Sequence, residues 1–335
     1  MPLLEVRDLE VKFAMRRGEL TALKDVSFSI EKGERLGIVG ESGAGKSVVA
    51  YSILNLISKP GYISGGQILF QGRDLSKLSP EEMRNIRGDR ISMIFQDPMM
   101  TLNPVLTIGT QMTEALHAHR EISEQQARTI AIEKLAQVHI PSPTTRFEQY
   151  PHELSGGMRQ RIVIATALLT DPLLIIADEP TTALDVTIQA EIMELLLELC
   201  ESSGVGLILI THDLSVVGQV TQRAVVMYAG RIVEEGLTRG IVRNPCHPYT
   251  QGLIGALPQQ TVPGARLNQI RGVMPSLANT PSGCAFHPRC PHVIDVCKSV
   301  VPEYSIFDHS RVACHWVQGQ LAGAEKRKTN ETPAL

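Results

Sequence analysis

The sequence predicts an α/β fold in which a parallel sheet carries a phosphate-binding loop, and three observations predict it. The segment RLGIVG, Arg35 to Gly40, runs as a short apolar strand into GESGAGKS and then into the helix-like VVAYSILNLI,. The run LLIIADEP, Leu173 to Pro180, is a continuous apolar strand ending in two carboxylates, as a buried parallel strand does where it reaches a ligand crevice,. After TIQAEIMELLLELC, whose apolar residues recur at helical spacing, GLILITHD reads as another buried strand,.

Taken in order, MPLLEVRDLEV alternates apolar and charged residues as a strand does, and it contains no apolar segment of signal-peptide length,. Gly40, Gly45, Lys46 and Ser47 then have the spacing of a phosphate-binding loop,. Gly43 and Gly45 allow the tight turn that points successive amides at anionic oxygens beside the positive end of a helix. The expected nucleotide contacts are therefore Gly40, Glu41, Ser42, Gly43, Ala44, Gly45, Lys46, Ser47 and Val48, with Lys46 neutralising the terminal phosphates and the Ser47 hydroxyl on magnesium,. ATP or GTP binding follows.

In MIFQDPMMTLNP, Pro98 and Pro104 break regular structure, so Gln96 falls in a loop,. The stretch 107–140 is strongly helical in pattern,. Next comes LSGGM, Leu154 to Met158, and GMRQRIVIATALL continues it as a helix. At the strand end, Asp178 would hold magnesium through water and Glu179 would polarise the attacking water,. Asp185 lies seven residues beyond Asp178. His212 ends the last strand, where a lone histidine serves structure as readily as catalysis,.

At 335 residues the chain exceeds one ordinary domain, so a main domain plus an extension is expected,. A formal charge of −3 gives no basic face on average, and nothing in the composition favours nucleic acid,. The longest apolar runs fall far short of the roughly 18 to 20 residues that span a bilayer,. The reading is a chain that stays in the cytosol and docks on a membrane protein.

With these motifs in this order, residues 3–250 resemble the ATP-binding cassette ATPases of ABC transporters. The resemblance implies a P-loop NTPase with a RecA-like core, an antiparallel β subdomain and a helical subdomain over about 97–165, in a nucleotide-binding domain covering 1–255. It identifies Gln96 as the glutamine-loop residue near magnesium and attacking water, Leu154 to Met158 as the signature, Asp185 as the aspartate loop and His212 as the switch histidine. Two such domains would sandwich two ATP molecules, each held by the phosphate loop of one and by Ser155, Gly156 and Gly157 of the other. A serine hydroxyl and glycine amides at a helix start make an anion site. Met158 departs from the usual glutamine and puts only a side-chain contact in doubt. Phe13 matches the position that stacks on adenine, although a phenylalanine on a strand serves a core equally.

The extension, 256–320, concentrates Cys284, Cys290, Cys297 and Cys314 within 31 residues, which in a cytosolic protein points to metal before disulfide,. The gaps of five, six and sixteen residues are not short zinc knuckles,. HPYTQGLIGALP and GCAFHPRCPHVIDVC resemble the extension of oligopeptide and dipeptide importer ATPases, in which four such thiols can hold a [4Fe-4S] cluster,. Zinc is the alternative, and His287, His292 and His315 lie close enough in sequence for a mixed site. Cys200 and Cys246 read as structural, and 321–335 as a disordered polar tail.

The function this implies is the ATPase subunit of a bacterial peptide importer, peripheral on the cytoplasmic face of the inner membrane. Its expected partners are a second, related ATPase in a heterodimer, two membrane permeases and, through the complex, a periplasmic solute-binding protein. The same ATPase type serves nickel or glycoside importers. A soluble cassette ATPase acting on DNA or ribosomes would carry two cassettes or a coiled-coil insertion, and an iron–sulfur assembly ATPase would lack the four-cysteine tail; the chain fits neither.

Overall fold

The computed structural model describes residues 1–16, 18–97, 101–182, 184–257, 269–308 and 310–321. Pro98 and the polar tail after residue 321 lie outside the described residues.

Two sheets form the frame. In the first, β1 (Leu4–Met15) pairs antiparallel with β2 (Gly18–Ile30). The chain then leaves through β3 (Arg35–Val39) and returns as β4 (Gly61–Phe70) on the other side of β1, with the short β5 (Arg73–Asp74) at the edge. Leu4, Val6, Leu9 and Val11 are buried, so the two-residue alternation of β1 skips a beat between Val6 and Leu9. Asp8 absorbs that step at φ 46, where the pairing register also shifts,.

The second sheet contains β3 at its centre. Its remaining strands are β6 (Ile91–Ile94), β7 (Leu174–Asp178), β8 (Gly206–Thr211), β9 (Arg223–Tyr228), β10 (Arg231–Leu237), β11 (Tyr304–Phe307) and β12 (Ser310–Ala313). The order is β11-β12-β10-β9-β3-β8-β7-β6, and the strands from β9 to β6 run parallel. Both faces of the parallel part are covered. Leu174, Ile176, Ile208 and Ile210 pack with the first sheet and the helix Lys46–Ile53, whereas Ile175, Ala177, Leu207 and Leu209 pack with helices on the other side. Two buried faces are the reason these strands read as unbroken apolar runs.

The helical stretch expected over 107–140 is broken into Ile108–His117 and Glu124–Gln137. Ser123 restarts the helix: its hydroxyl accepts the Gln126 N–H while the Gln126 side chain accepts the Ser123 N–H, a capping box,. Together with the helix Gly156–Ala167, these bury Met112, Leu116, Ala131, Leu135 and Ile162 against one another.

The tail is built into the core rather than appended to it. The hairpin β11–β12 extends the sheet through Glu234↔Val312 and Glu235↔Arg311 on β10. Glu234 is buried and accepts the N–H groups of Cys246 and His247 at 2.9 and 3.0 Å. His247 caps the helix Pro248–Gly255, its Nδ1 accepting the Tyr249 N–H at 3.0 Å, and burial pushes its pKa down to about 3, so the ring is neutral,. Among the described residues no helix is long and apolar enough to cross a membrane.

Candidate nucleotide site

The site begins where β3 ends. Gly45 sits at φ 100, and a Cβ there would stand 2.8 Å from Leu23 Cδ2; at Gly40 a Cβ would meet the Met227 carbonyl oxygen at 2.4 Å. Conformation calls for glycine at position 45, and the backbone oxygen leaves no space for a side chain at position 40,. The loop folds around Lys46, which is only 5% exposed and whose Nζ donates to the carbonyl oxygens of Gly40 and Glu41 at 2.8 and 3.1 Å. Burial pulls its pKa below that of a free lysine, an effect partly offset by Glu179, Asp178 and Glu41,.

Across the pocket, β7 delivers its terminal carboxylate. Asp178 accepts from the Ser47 hydroxyl at 3.1 Å, while its Oδ2 is buried with no hydrogen-bond partner. Burial is the main cause that pushes its pKa up, with Glu179 adding to the rise and Ser47 and Lys46 opposing it. An orphaned carboxylate oxygen beside a serine hydroxyl fits a hard divalent cation, which supplies the missing partner and favours the ionised form.

Glu179 is held at the centre. Its backbone is left-handed at φ 45, and its N–H donates to the Ile210 carbonyl at 2.8 Å. Its carboxylate accepts from Gln96 Nε2 at 3.2 Å and from the Thr182 hydroxyl at 3.1 Å. Lys46 Nζ lies 3.8 Å away and His212 Nδ1 3.5 Å away. Ser47, Gln96, Asp178, Glu179 and His212, which are scattered over more than 160 residues of sequence, thus meet at one point. The pocket holds about 1000 Å³ and is lined by Phe13 and Ala22, with Glu41, Ser42, Gly43 and Val48 of the loop also lining it. Ala44 is fully buried beneath.

Two predicted groups lie elsewhere. Ser155 and Gly156 are exposed on the surface and, like Gly157, are not among the residues lining the pocket. The Ser155 hydroxyl caps its own helix, accepting the Met158 N–H at 3.3 Å. Asp185 likewise acts as an N-cap, for the helix Val186–Ser203, with its carboxylate accepting the Ile188 N–H at 3.0 Å,. Within one chain neither group faces the phosphate loop.

Other residues escape the sequence reading. The Tyr249 hydroxyl accepts the Glu41 N–H at 2.8 Å, and the Arg289 guanidinium grips the Glu41 carboxylate at 2.7 and 3.0 Å. Tyr249 lies in the HPYTQGLIGALP segment and Arg289 in the extension, 208 and 248 residues from Glu41, so no local spacing announces them. Tail residues Gly272, Val273, Met274 and Leu277 also line the pocket.

The four tail thiols are drawn together without forming a ready site. Burial pushes the Cys284 thiol up to about 11, with Cys297, Cys314 and Cys290 adding to the rise, and Cys290 Sγ accepts the His292 N–H at 3.4 Å. All six cysteines are free. Among the described residues, however, no group of three or more His, Cys, Asp or Glu side chains is placed to hold a metal ion, so this arrangement lends no support to the four-iron or zinc site expected at these positions. Cys284 and Cys290 lie against the core cluster that contains Tyr249 and Phe286, and Cys314 belongs to the cluster of Cys246, Val312 and Val317. His292 is stacked on Trp316 at 4.1 Å, and the ring nitrogens of His287 and His315 face the carbonyls of Cys284 and Val300.

Comparison with known proteins places this geometry. Residues 23–182 match the family model described as ABC transporter, and residues 233–297 the one described as oligopeptide/dipeptide transporter, C-terminal region. The chain is 50% identical to a dipeptide transport ATP-binding protein, DppD, of Bacillus subtilis over 95% of this chain and 96% of the relative. It is 51% identical to the oligopeptide transport ATP-binding protein OppD of the same organism, over 99% and 92%. A dimeric bacterial ABC transporter cassette, MJ0796, is similar in structure with a TM-score of 0.63 and 30% identity, covering 71% of this chain and 99% of the cassette.

Proposed function

We propose that this chain, which belongs to the ABC transporter family, is the ATP-hydrolysing subunit of an importer for dipeptides or oligopeptides. The observation that carries this reading is the pairing of a pocket that gathers Lys46, Ser47, Gln96, Glu179 and His212 with the oligopeptide/dipeptide C-terminal region in one chain. Relatives that share about half of its residues over nearly its whole length are named for dipeptide and oligopeptide transport.

In this reading Gly40 to Val48 cradle the phosphates, Lys46 neutralises the terminal ones and Phe13 packs on the base. Ser47, Asp178 and Gln96 hold magnesium, which when bound offsets charge on the phosphate oxygens. Glu179 orients and polarises the attacking water, and His212, 3.5 Å from it, steadies the charge that builds during attack,. Ser155, Gly156 and Gly157 cover the nucleotide of a facing subunit, with Asp185 at that seam. Their exposure and their absence from the pocket of their own chain support this. ATP then draws two cassettes together and hydrolysis releases them.

The facing subunit is a related but different ATPase, and the pair sits peripherally on two permeases at the cytoplasmic face of the inner membrane, fed by a periplasmic solute-binding protein. A cleft of about 470 Å³ lined by Leu56, Phe95 and Leu102, next to Gln96, supports a permease contact there. The cassette is assigned to residues 1–255, with helices over 97–165, and the peptide-transporter extension to 256–320. Co-expression with permeases encoded beside it is expected to give a membrane complex whose ATPase is stimulated by di- or oligopeptide-loaded binding protein. A complex stimulated only by nickel or by a glycoside would overturn the peptide assignment.

We further assign Cys284, Cys290, Cys297 and Cys314 as ligands of a metal centre, a [4Fe-4S] cluster ahead of zinc. Four mostly buried free thiols close enough to perturb one another support it,. Anaerobic purification is expected to give a brown protein with about four irons per chain. Colourless protein with one zinc per chain excludes the cluster.

A further inference from the structure

A nucleobase is a flat, largely apolar plate, and a site that stacks on one of its faces leaves the other to water unless a second wall is present. Phe13, near the end of β1, and Ala22 on β2 supply apolar surface on one side of the pocket. The extension contributes further apolar lining. Gly272, Val273, Met274 and Leu277 line the same pocket, with Val273 86% exposed into open space. Met274 packs with the first-sheet core that also holds Phe13 and with the tail core around Tyr228 and Phe286, so it bridges the two. It also reaches the loop: a Cβ on Gly43 would lie 3.9 Å from Met274 Cγ.

This wall is anchored to the phosphate loop by one side chain. Arg289, 6% exposed, donates through Nε to the Arg271 carbonyl at 2.9 Å, immediately before the wall, while its two terminal nitrogens hold the Glu41 carboxylate. A bidentate arginine fixes both geometry and distance. Gly272 follows at φ 78, a left-handed conformation that favours glycine, and Val273 and Met274 beyond it line the pocket,.

We propose that residues 272–277 of the tail form a second wall of the nucleobase site, with Val273 and Met274 covering the face of the base opposite Phe13. The inference rests on the nucleotide-site reading above and deepens it. The cassette would then bind base through its tail and phosphates through its loop, so the two contributions are separable by ligand. The test uses the full chain carrying Val273→Ser and Met274→Ala together, titrated calorimetrically with ATP and with inorganic tripolyphosphate, which has no base. Loss of two apolar contacts is expected to weaken ATP roughly five- to tenfold and to leave tripolyphosphate unchanged. Unchanged ATP affinity overturns the proposal. So does a parallel loss for both ligands, which would mean that the wall only supports the loop. A wild-type chain that binds neither ligand instead sinks the nucleotide-site reading itself. Val273 is open to solvent, and unfolding curves without ligand confirm that the variant keeps its fold.

Discussion

A Glu179→Gln chain is expected to bind ATP at least as tightly as wild type and to hydrolyse it about 10²- to 10⁴-fold more slowly, the range by which a positioned general base contributes. The reasoning is geometric. Glutamine preserves the volume, and its amide can still meet the Thr182 hydroxyl, which donates to Glu179 at 3.1 Å. It cannot take a proton. It also removes the negative charge that faces Lys46 at 3.8 Å and His212 at 3.5 Å, so repulsion between bound phosphate and carboxylate falls and the ATP state persists,. In the presence of a facing cassette, the variant should accumulate as a closed, ATP-loaded pair on size-exclusion chromatography. Turnover within about threefold of wild type would remove Glu179 from the role assigned to it.

Lys46→Ala should produce the other large effect, on binding. Its ammonium is held by two backbone carbonyls in a nearly dry site and offers its charge to the terminal phosphates. Removing a charge-assisted contact there costs about 3 kcal/mol, or roughly 10²-fold in ATP affinity. It also leaves the Gly40 and Glu41 carbonyls without their shared donor. Fluorescent-nucleotide binding measures the loss, and an affinity within about threefold of wild type would show that the loop amides suffice without the lysine.

The parts of the site that were legible in the sequence are those encoded by local pattern. The loop at 40–47 depends on glycines whose conformations and close approaches are fixed over eight residues, and β7 and β8 announce themselves because both faces are buried,. Asp185 carries two roles that the sequence superimposes: the resemblance puts it at the nucleotide seam, and an aspartate immediately before a helical run also fits an N-cap, which it is here,. Arg289 and Tyr249 were invisible for a different reason. Their meaning lies in Glu41, more than 200 residues away, and only folding brings them together.

The central position of β3 dictates the order in which this protein can fold as it leaves the ribosome. Its neighbours on the two sides are β8 and β9, about 170 and 190 residues later in the chain. The antiparallel sheet from β1 to β5 needs only residues 4–74 and can pair early, whereas the strand that leads into the phosphate loop waits with both edges unpaired until residue 211 has emerged and with one edge open until residue 228 has,. During synthesis, therefore, the most function-laden segment of the molecule is among the last to be locked in place, and it is the stretch most in need of protection from wrong partners.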